Sequence, residues 1–217
     1  MLNLPASAAF ERRIPKQKFY ANLTVTPELR RCFTEQIEII TWADKLAPQT
    51  MNLAAGQRVQ EIEVFRIRLA GDALDGKVTE LMDKQIPYHI LFVLTRPDGM
   101  LRLLMNYKEA ALGGGFTLRQ RCATGWLAPG TVCLPLLAAD MDALYEGFVR
   151  YIAGDSLQSA AGEDLAQSVQ RTEVLNQLQR QIDQLTAKMK REKQLPRQME
   201  LQRQIKKLQQ EIEQWTK

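Results

Sequence analysis

The sequence predicts an α+β (mixed α/β) fold: a mixed β-sheet of about five strands with flanking helices, followed by a C-terminal helical hairpin or coiled coil. Three observations predict it. First, the apolar runs of Ile86–Leu94 and Met100–Met105 flank Arg96-Pro97-Asp98-Gly99. Pro97 presets φ, Asp98 bonds back to local backbone and Gly99 accepts a positive φ, so the stretch reads as a β-hairpin. Its first arm is apolar on both faces, which places it inside a covered sheet. Second, Asp75–Gln85 carries a helical spacing of apolar residues (Val78, Leu81, Met82) between that hairpin and an earlier strand-like run. Third, the last 55 residues change in kind. There, Leu175, Leu178, Ile182, Leu185 and Met189, and then Leu201, Ile205, Leu208, Ile212 and Trp215, recur at alternating steps of three and four.

The elements follow in order. Met1–Lys18 reads as a basic arm with a short helix capped by Ser7 and stopped at Pro15. Thr26-Pro27-Glu28 opens a helix, with a threonine N-cap and proline in the first turn. A strand is expected at Ile37–Trp42, and a loop over Asp44–Ala55 that contains Pro48. In the next strand, Val59–Leu69, the apolar phase slips between Val64 and Phe65, which predicts a bulge there or a strand that crosses from an edge into the core. After the hairpin, Gly113-Gly114-Gly115 reads as a connector. No Lys-Ser/Thr follows it, so it does not make a phosphate loop. Phe116–Leu127 is expected to add one or two short strands, and Asp140–Ile152 an amphipathic helix ending at Gly154. Domain bounds are read as a body over 1–155, a Ser/Ala/Gly-rich linker over 156–162 and a tail over 163–217. The tail's rhythm breaks at Glu192–Arg197, around Pro196, which favours an antiparallel hairpin over one long kinked helix that dimerises.

Composition narrows the function classes. Cys32, Cys122 and Cys133 are too sparse for a zinc knuckle or a redox pair and fit a reducing compartment. The N-terminal stretch lacks the apolar run of a signal peptide, and no run of about 18 apolar residues predicts a membrane span. A cytoplasmic protein without membrane contact and without a cofactor is expected. Residues 161–217 hold 11 Lys+Arg against 8 Asp+Glu, out of 29 and 25 in the whole chain, so most of the net +4 sits in the tail.

Candidate chemistry is thin. A restriction-type nuclease would need carboxylates and a lysine around a metal ion. Asp44, Glu61, Glu63 and Lys77 are the residues that could supply them, but the acid-x-Lys pattern is absent. His89, the only histidine, has no nucleophile motif beside it and reads as a hydrogen-bonded strand residue. Trp126 and Trp215 read as packing residues. Lys188, Lys190, Arg191, Lys193 and Arg197 would lie at the tip of a tail hairpin, where they could make weak, nonspecific phosphate contacts or simply keep the turn soluble. The narrow seam formed by Leu178, Ile182, Leu185, Leu201, Ile205, Leu208 and Ile212 must be covered by its sister helix, a second copy or another protein.

The chain also resembles a bacterial family catalogued as domain of unknown function 4391. The resemblance rests on Leu4-Pro5, Arg13-Ile14-Pro15-Lys16, Pro48 through Gly56, Ile62–Leu69, Ile86 through Leu94, Trp126, Leu144-Tyr145-Glu146 through Gly154, and the Lys/Arg/Gln-rich tail. The glycine triplet, the cysteines and Gly125, where an acid is expected, depart from it. The resemblance implies no residue-level activity. It implies an association with helicases, DNA methyltransferases and restriction-type subunits in prokaryotic anti-phage defence. The leading expectation is a non-catalytic accessory subunit that docks such a partner, or a second copy of itself, through its tail. A divergent nuclease and a DNA-binding module are the alternatives.

Overall fold

The structure, a computed structural model, describes residues 2–111 and 115–216, so Gly113 and Gly114 lie outside the described residues. The chain divides into two compact units, Met1–Gly154 and Asp155–Lys217. Among the described residues the first unit holds one six-stranded sheet: β1 (Ala9–Ile14), β2 (Ile37–Leu46), β3 (Ile62–Leu69), β4 (His89–Thr95), β5 (Leu101–Ala110) and β6 (Phe116–Ala123), in chain order. Its helices are α1 (Lys16–Asn22), α2 (Pro27–Glu35), α3 (Pro48–Met51), α4 (Gly76–Gln85) and α5 (Met141–Ala153). Neighbouring strands are antiparallel except β3 and β4, which run parallel. A parallel pair needs a crossover, and α4 is that crossover.

The sixth strand is β1, in the arm expected to be helical. Glu11, Arg12 and Arg13 leave it almost without apolar alternation, and the segment pairs with the free edge of β2. A register shift between Ala9 and Arg12 bends it, and Glu11 sits there at φ +45°. An irregular, charged edge strand resists pairing with other chains. β2 also runs further than expected, to Leu46, and Pro48 then starts the short α3.

The bulge expected in β3 is absent. Pairing with β4 is unbroken from Ile62↔His89 to Arg68↔Thr95, and the irregularities lie in β2, at Ile37/Ile39 and Trp42/Asp44. What broke the apolar phase is Glu63. It shares a face with Phe65, Ile67 and Leu69 and is itself 1% exposed.

The hairpin forms as expected. Gly99 has φ +84°, its amide donates to the Arg96 carbonyl, and Asp98 accepts from the Met100 amide at 3.0 Å. β4 is buried along nearly its whole length, between β3 and β5. The cap expected at Thr26 forms, the one expected at Ser7 does not, and Asp75 and Asp140 cap their helices as well. Thr26 accepts from the Leu29 amide, Asp75 from Lys77 and Asp140 from Ala143. Phe33, Ile40, Ile67, Met82, Phe92 and Leu104 are central to the core on the α1/α2/α4 face. The carboxylate of Asp142, on α5, accepts from the amides of Gln57, Arg58 and Val59 at 2.7–3.3 Å. A Cβ at Gly56 would meet that carboxylate at 2.5 Å, so this tight wrap requires glycine.

On α4 the inward stripe is Val78, Thr79, Met82 and Asp83, with Leu81 half-buried. Asp83 is buried because Lys108 reaches it. The Lys108 ammonium donates to Asp83 Oδ1 at 2.7 Å, to the Asp83 carbonyl at 3.1 Å and to the Tyr88 carbonyl. Asn106 Nδ2 donates to Asp83 Oδ2 at 2.6 Å. Both charged side chains are essentially inaccessible, at 0% and 1%. A register shift between Tyr107 and Lys108 interrupts the β5–β6 ladder. The Tyr145 hydroxyl bridges the gap, donating to the Asn106 carbonyl at 3.0 Å and accepting from the Lys108 amide at 3.2 Å.

The second unit is a helical pair, α6 (Leu165–Arg191) and α7 (Leu195–Thr216). Arg171, near the start of α6, stacks over Trp215, near the end of α7, at 5.7 Å, so the helices run antiparallel. The break is shorter than expected, Glu192 to Gln194. Pro196 lies inside the first turn of α7, where its missing N–H breaks no helical hydrogen bond.

Removing one member of a buried, hydrogen-bonded ion pair strands the other charge. Lys108→Met is therefore expected to destabilise the fold by about 3–5 kcal/mol, and the Lys108→Met/Asp83→Leu double variant by clearly less. Urea unfolding of the two variants checks this. Equal losses would mean that the side chains matter only through their packing volume.

Candidate functional site

The structure does not gather the four candidate nuclease residues. Asp44 pairs across the ladder with Val64, and Lys45 with Glu63, so Asp44 and Glu63 project from opposite faces of the sheet. Glu61 pairs with Lys45 at 2.7 Å, and Lys77, on α4, pairs with Glu28 of α2 at 3.7 Å. Burial raises the pKa of Asp44, with Arg66 opposing and Glu11 adding to the rise. Among the described residues, no three His, Cys, Asp or Glu side chains converge as a metal site would need.

Glu63 and Glu61 remain close to each other, and Glu63 forms part of a cavity. On the α1 face of the sheet a cavity of about 230 Å³ is lined by Ile14, Phe19, Leu23, Trp42, Phe65, Ile86 and Tyr88. Lys18 and Asn22 of α1 also line it, and Lys18 is exposed. Its accessible wall is almost wholly carbon, and Glu63 lies against it. Neither carboxyl oxygen of Glu63 receives a well-formed hydrogen bond, and the indole N–H of Trp42 has no acceptor in good geometry. Burial is the first reason that the Glu63 pKa is pushed up to about 8. The neighbouring Glu61 carboxylate is the second, repelling the charged form and accepting the proton of the neutral one, while Trp42 and Lys45 pull weakly the other way.

The buried groups around Lys108 belong to a satisfied network. The His89 ring meets Tyr145 at 4.4 Å and Phe116 at 5.3 Å. Burial, reinforced by the charge of Lys108, holds its pKa down at about 4, so it is neutral near pH 7. Asp83, Asn106 and Lys108 did not stand out in the sequence. The available signal was Asn106 and Lys108 inside an otherwise apolar strand, and an acid on the inward stripe of α4. Trp126 lies under Arg96 at 5.1 Å, a packing role as expected.

In the second unit, Leu178, Ile182 and Ile205 are buried, and Leu185, Leu201, Leu208 and Ile212 are half-buried. The seam is thus taken up within its own unit and is not an open stripe. What remains exposed is the tip. Lys188, Lys190, Arg191, Lys193 and Arg197 all reach solvent, and Lys188, Arg191 and Arg197 line an open cleft of about 480 Å³ with Glu192, Glu200 and Leu201. Leu195 and Met199, one helical turn apart, are 66% and 54% exposed. Exposure of two large apolar side chains among cations was not apparent from the seam pattern, because neither residue falls on it.

The raised pKa of Glu63 sets a pH dependence. Between its ordinary value of 4.5 and about 8 the native chain holds a proton that the unfolded chain has lost. Stability is therefore greatest below that window and falls as pH rises through it, by up to about 1.4 kcal/mol per unit. Glu63→Gln is expected to flatten this loss when urea unfolding is compared at about pH 5 and about pH 9. An unchanged slope would mean that the carboxyl ionises at its ordinary value.

Comparison with curated proteins and with solved structures gives no match. The profile of one family, described as "Domain of unknown function (DUF4391)", matches residues 2–212 of the 217. With nearly the whole length matched, the chain belongs to the family of domain of unknown function 4391.

Proposed function

We propose that this protein is a non-catalytic accessory subunit that docks a larger DNA-acting partner through the tip of its C-terminal helical pair. The partner class is a helicase, a methyltransferase or a restriction-type subunit of a prokaryotic anti-phage system, as the family resemblance implies. The observation that carries the reading is the tip itself. Leu195 and Met199 stand exposed one turn apart on α7, in a segment that also carries the solvent-reaching Lys188, Lys190, Arg191, Lys193 and Arg197, with Glu192 and Glu200 among them. An exposed apolar pair in a cation-rich tip suits a partner surface with an apolar pocket and nearby acidic groups, where burial supplies affinity and charge supplies orientation. The seam residues support this indirectly, because their mutual burial keeps the tip at the end of a stiff two-helix arm.

A second reading has its own observation. Between residues 188 and 207 eight basic residues face two acidic ones, which would draw nucleic acid phosphates without reading sequence.

The test is capture in the native host with an affinity-tagged full chain, the Leu195→Asp/Met199→Asp variant and a version ending at Gly154. Copurification of a DNA-acting protein with the full chain, lost in both altered forms, is the expected outcome. Both substituted positions are exposed, so the helical pair should stay folded, which circular dichroism checks. Undiminished capture by the double variant would remove the tip as the dock. If the purified chain alone binds duplex DNA with an affinity that falls steeply with salt, the nucleic acid reading replaces this one.

A further inference from the structure

The apolar cavity beside α1 has a chemistry of its own, independent of the docking tip. Phe19, Leu23, Trp42, Phe65 and Ile86 line about 230 Å³ whose accessible wall is almost wholly carbon. Water entering such a space finds no polar partner, whereas hydrocarbon gains contacts on every side. An apolar cavity of about 150 Å³ admits a benzene ring. The larger volume here suits one ring with a short alkyl arm, and it falls below the roughly 300–1,000 Å³ of sites that hold drug-sized molecules.

The charged residues on the wall decide what head group such a molecule carries. Two charged residues line the cavity, Glu63 and Lys18. Glu63 is 1% exposed and its carboxyl oxygens are inaccessible, so it lies behind the wall and meets no ligand. Lys18 is the opposite case. It borders a carbon wall and yet is exposed, as a lysine is when its stem packs and its ammonium stays in water. Among the described residues Lys18 has no carboxylate partner. A cationic head group would face this ammonium with no accessible acid on the wall to offset it. A neutral molecule would fill the cavity and leave the ammonium unpaired. A single negative charge matches a single lysine.

We propose that this cavity is a binding site for a small organic monocarboxylate with an apolar body, an arylalkanoate, and that Lys18 pairs with its carboxylate at the mouth. The ring lies between α1 and the sheet, against Phe19, Leu23 and Trp42, and the carboxylate stays in water beside the ammonium. Burial of the body supplies most of the affinity. The exposed ion pair adds a small part, so discrimination between head groups is modest and fades with salt.

The test is isothermal titration calorimetry on the full chain, at neutral pH and low salt, with 4-phenylbutanoate, 4-phenylbutan-1-ol and 4-phenylbutylammonium. The expected order of affinity is carboxylate, alcohol, ammonium, in steps of about threefold, the size of one exposed ion pair. Lys18→Glu should reverse the order of the two charged probes and change the alcohol by no more than about twofold. That position is exposed, so the fold should persist, which circular dichroism checks. Leu23→Trp, which fills the cavity from α1, should abolish binding of all three. Should Leu23→Trp fail to fold, the reversal by Lys18→Glu still decides. No binding of the carboxylate, an order of affinity unchanged by Lys18→Glu, or undiminished binding to a folded Leu23→Trp chain would each overturn the proposal.

Discussion

The ion pair between Lys108 and Asp83 is the interaction on which the body depends. Two opposite charges are held out of water in the layer between the sheet and α4, and neither would stay there alone. Burial lowers the lysine's pKa and raises the aspartate's, and each partner opposes the shift of the other. The pair persists because every remaining valence is used. Lys108 reaches two backbone carbonyls besides the carboxylate, and Asn106 takes the second carboxylate oxygen. The network ties α4, the only crossover of the parallel β3–β4 pair, to the strand beyond β4. Through Tyr145 it also ties α5, on the other face, to the same irregular point in β5. One satisfied polar cluster thereby sets the position of helices on both faces.

Glu63 is the counterpoint. It lies on the same sheet face and is as deeply buried, but it has no cation of its own, since Lys45 is bound to Glu61. Its response to burial is to keep its proton. The contrast between the two acids comes from their donors: Asp83 has Lys108 and Asn106, and Glu63 has none in good geometry.

The tail follows a simpler logic. A stripe of leucine and isoleucine repeating by threes and fours is too narrow for a globular core but sufficient for two helices to cover each other. With the seam closed, Leu195 and Met199 stay exposed in the same short segment that holds most of the tail's cations.

Local pattern determined a good deal by itself. The Pro97-Asp98-Gly99 turn, the cap at Thr26, the buried β4 and the return of the tail on itself all follow from short-range sequence, because turn geometry, capping and periodic burial are decided within a few residues. β1 was illegible because an edge strand with exposed charges carries almost no periodic signal; only the free edge of β2 makes it a strand. The break in the apolar phase of β3 was visible, but its cause was not. A glutamate at a core position and a bulge look alike until the neighbouring strands fix the register. Asp83, on the crossover helix, precedes Asn106 and Lys108 by 23 and 25 residues, and only the packed fold brings them together. Whether a buried charge finds a partner is settled by distance in space, and so the tertiary structure alone made Lys108 a strut and left Glu63 without a cation.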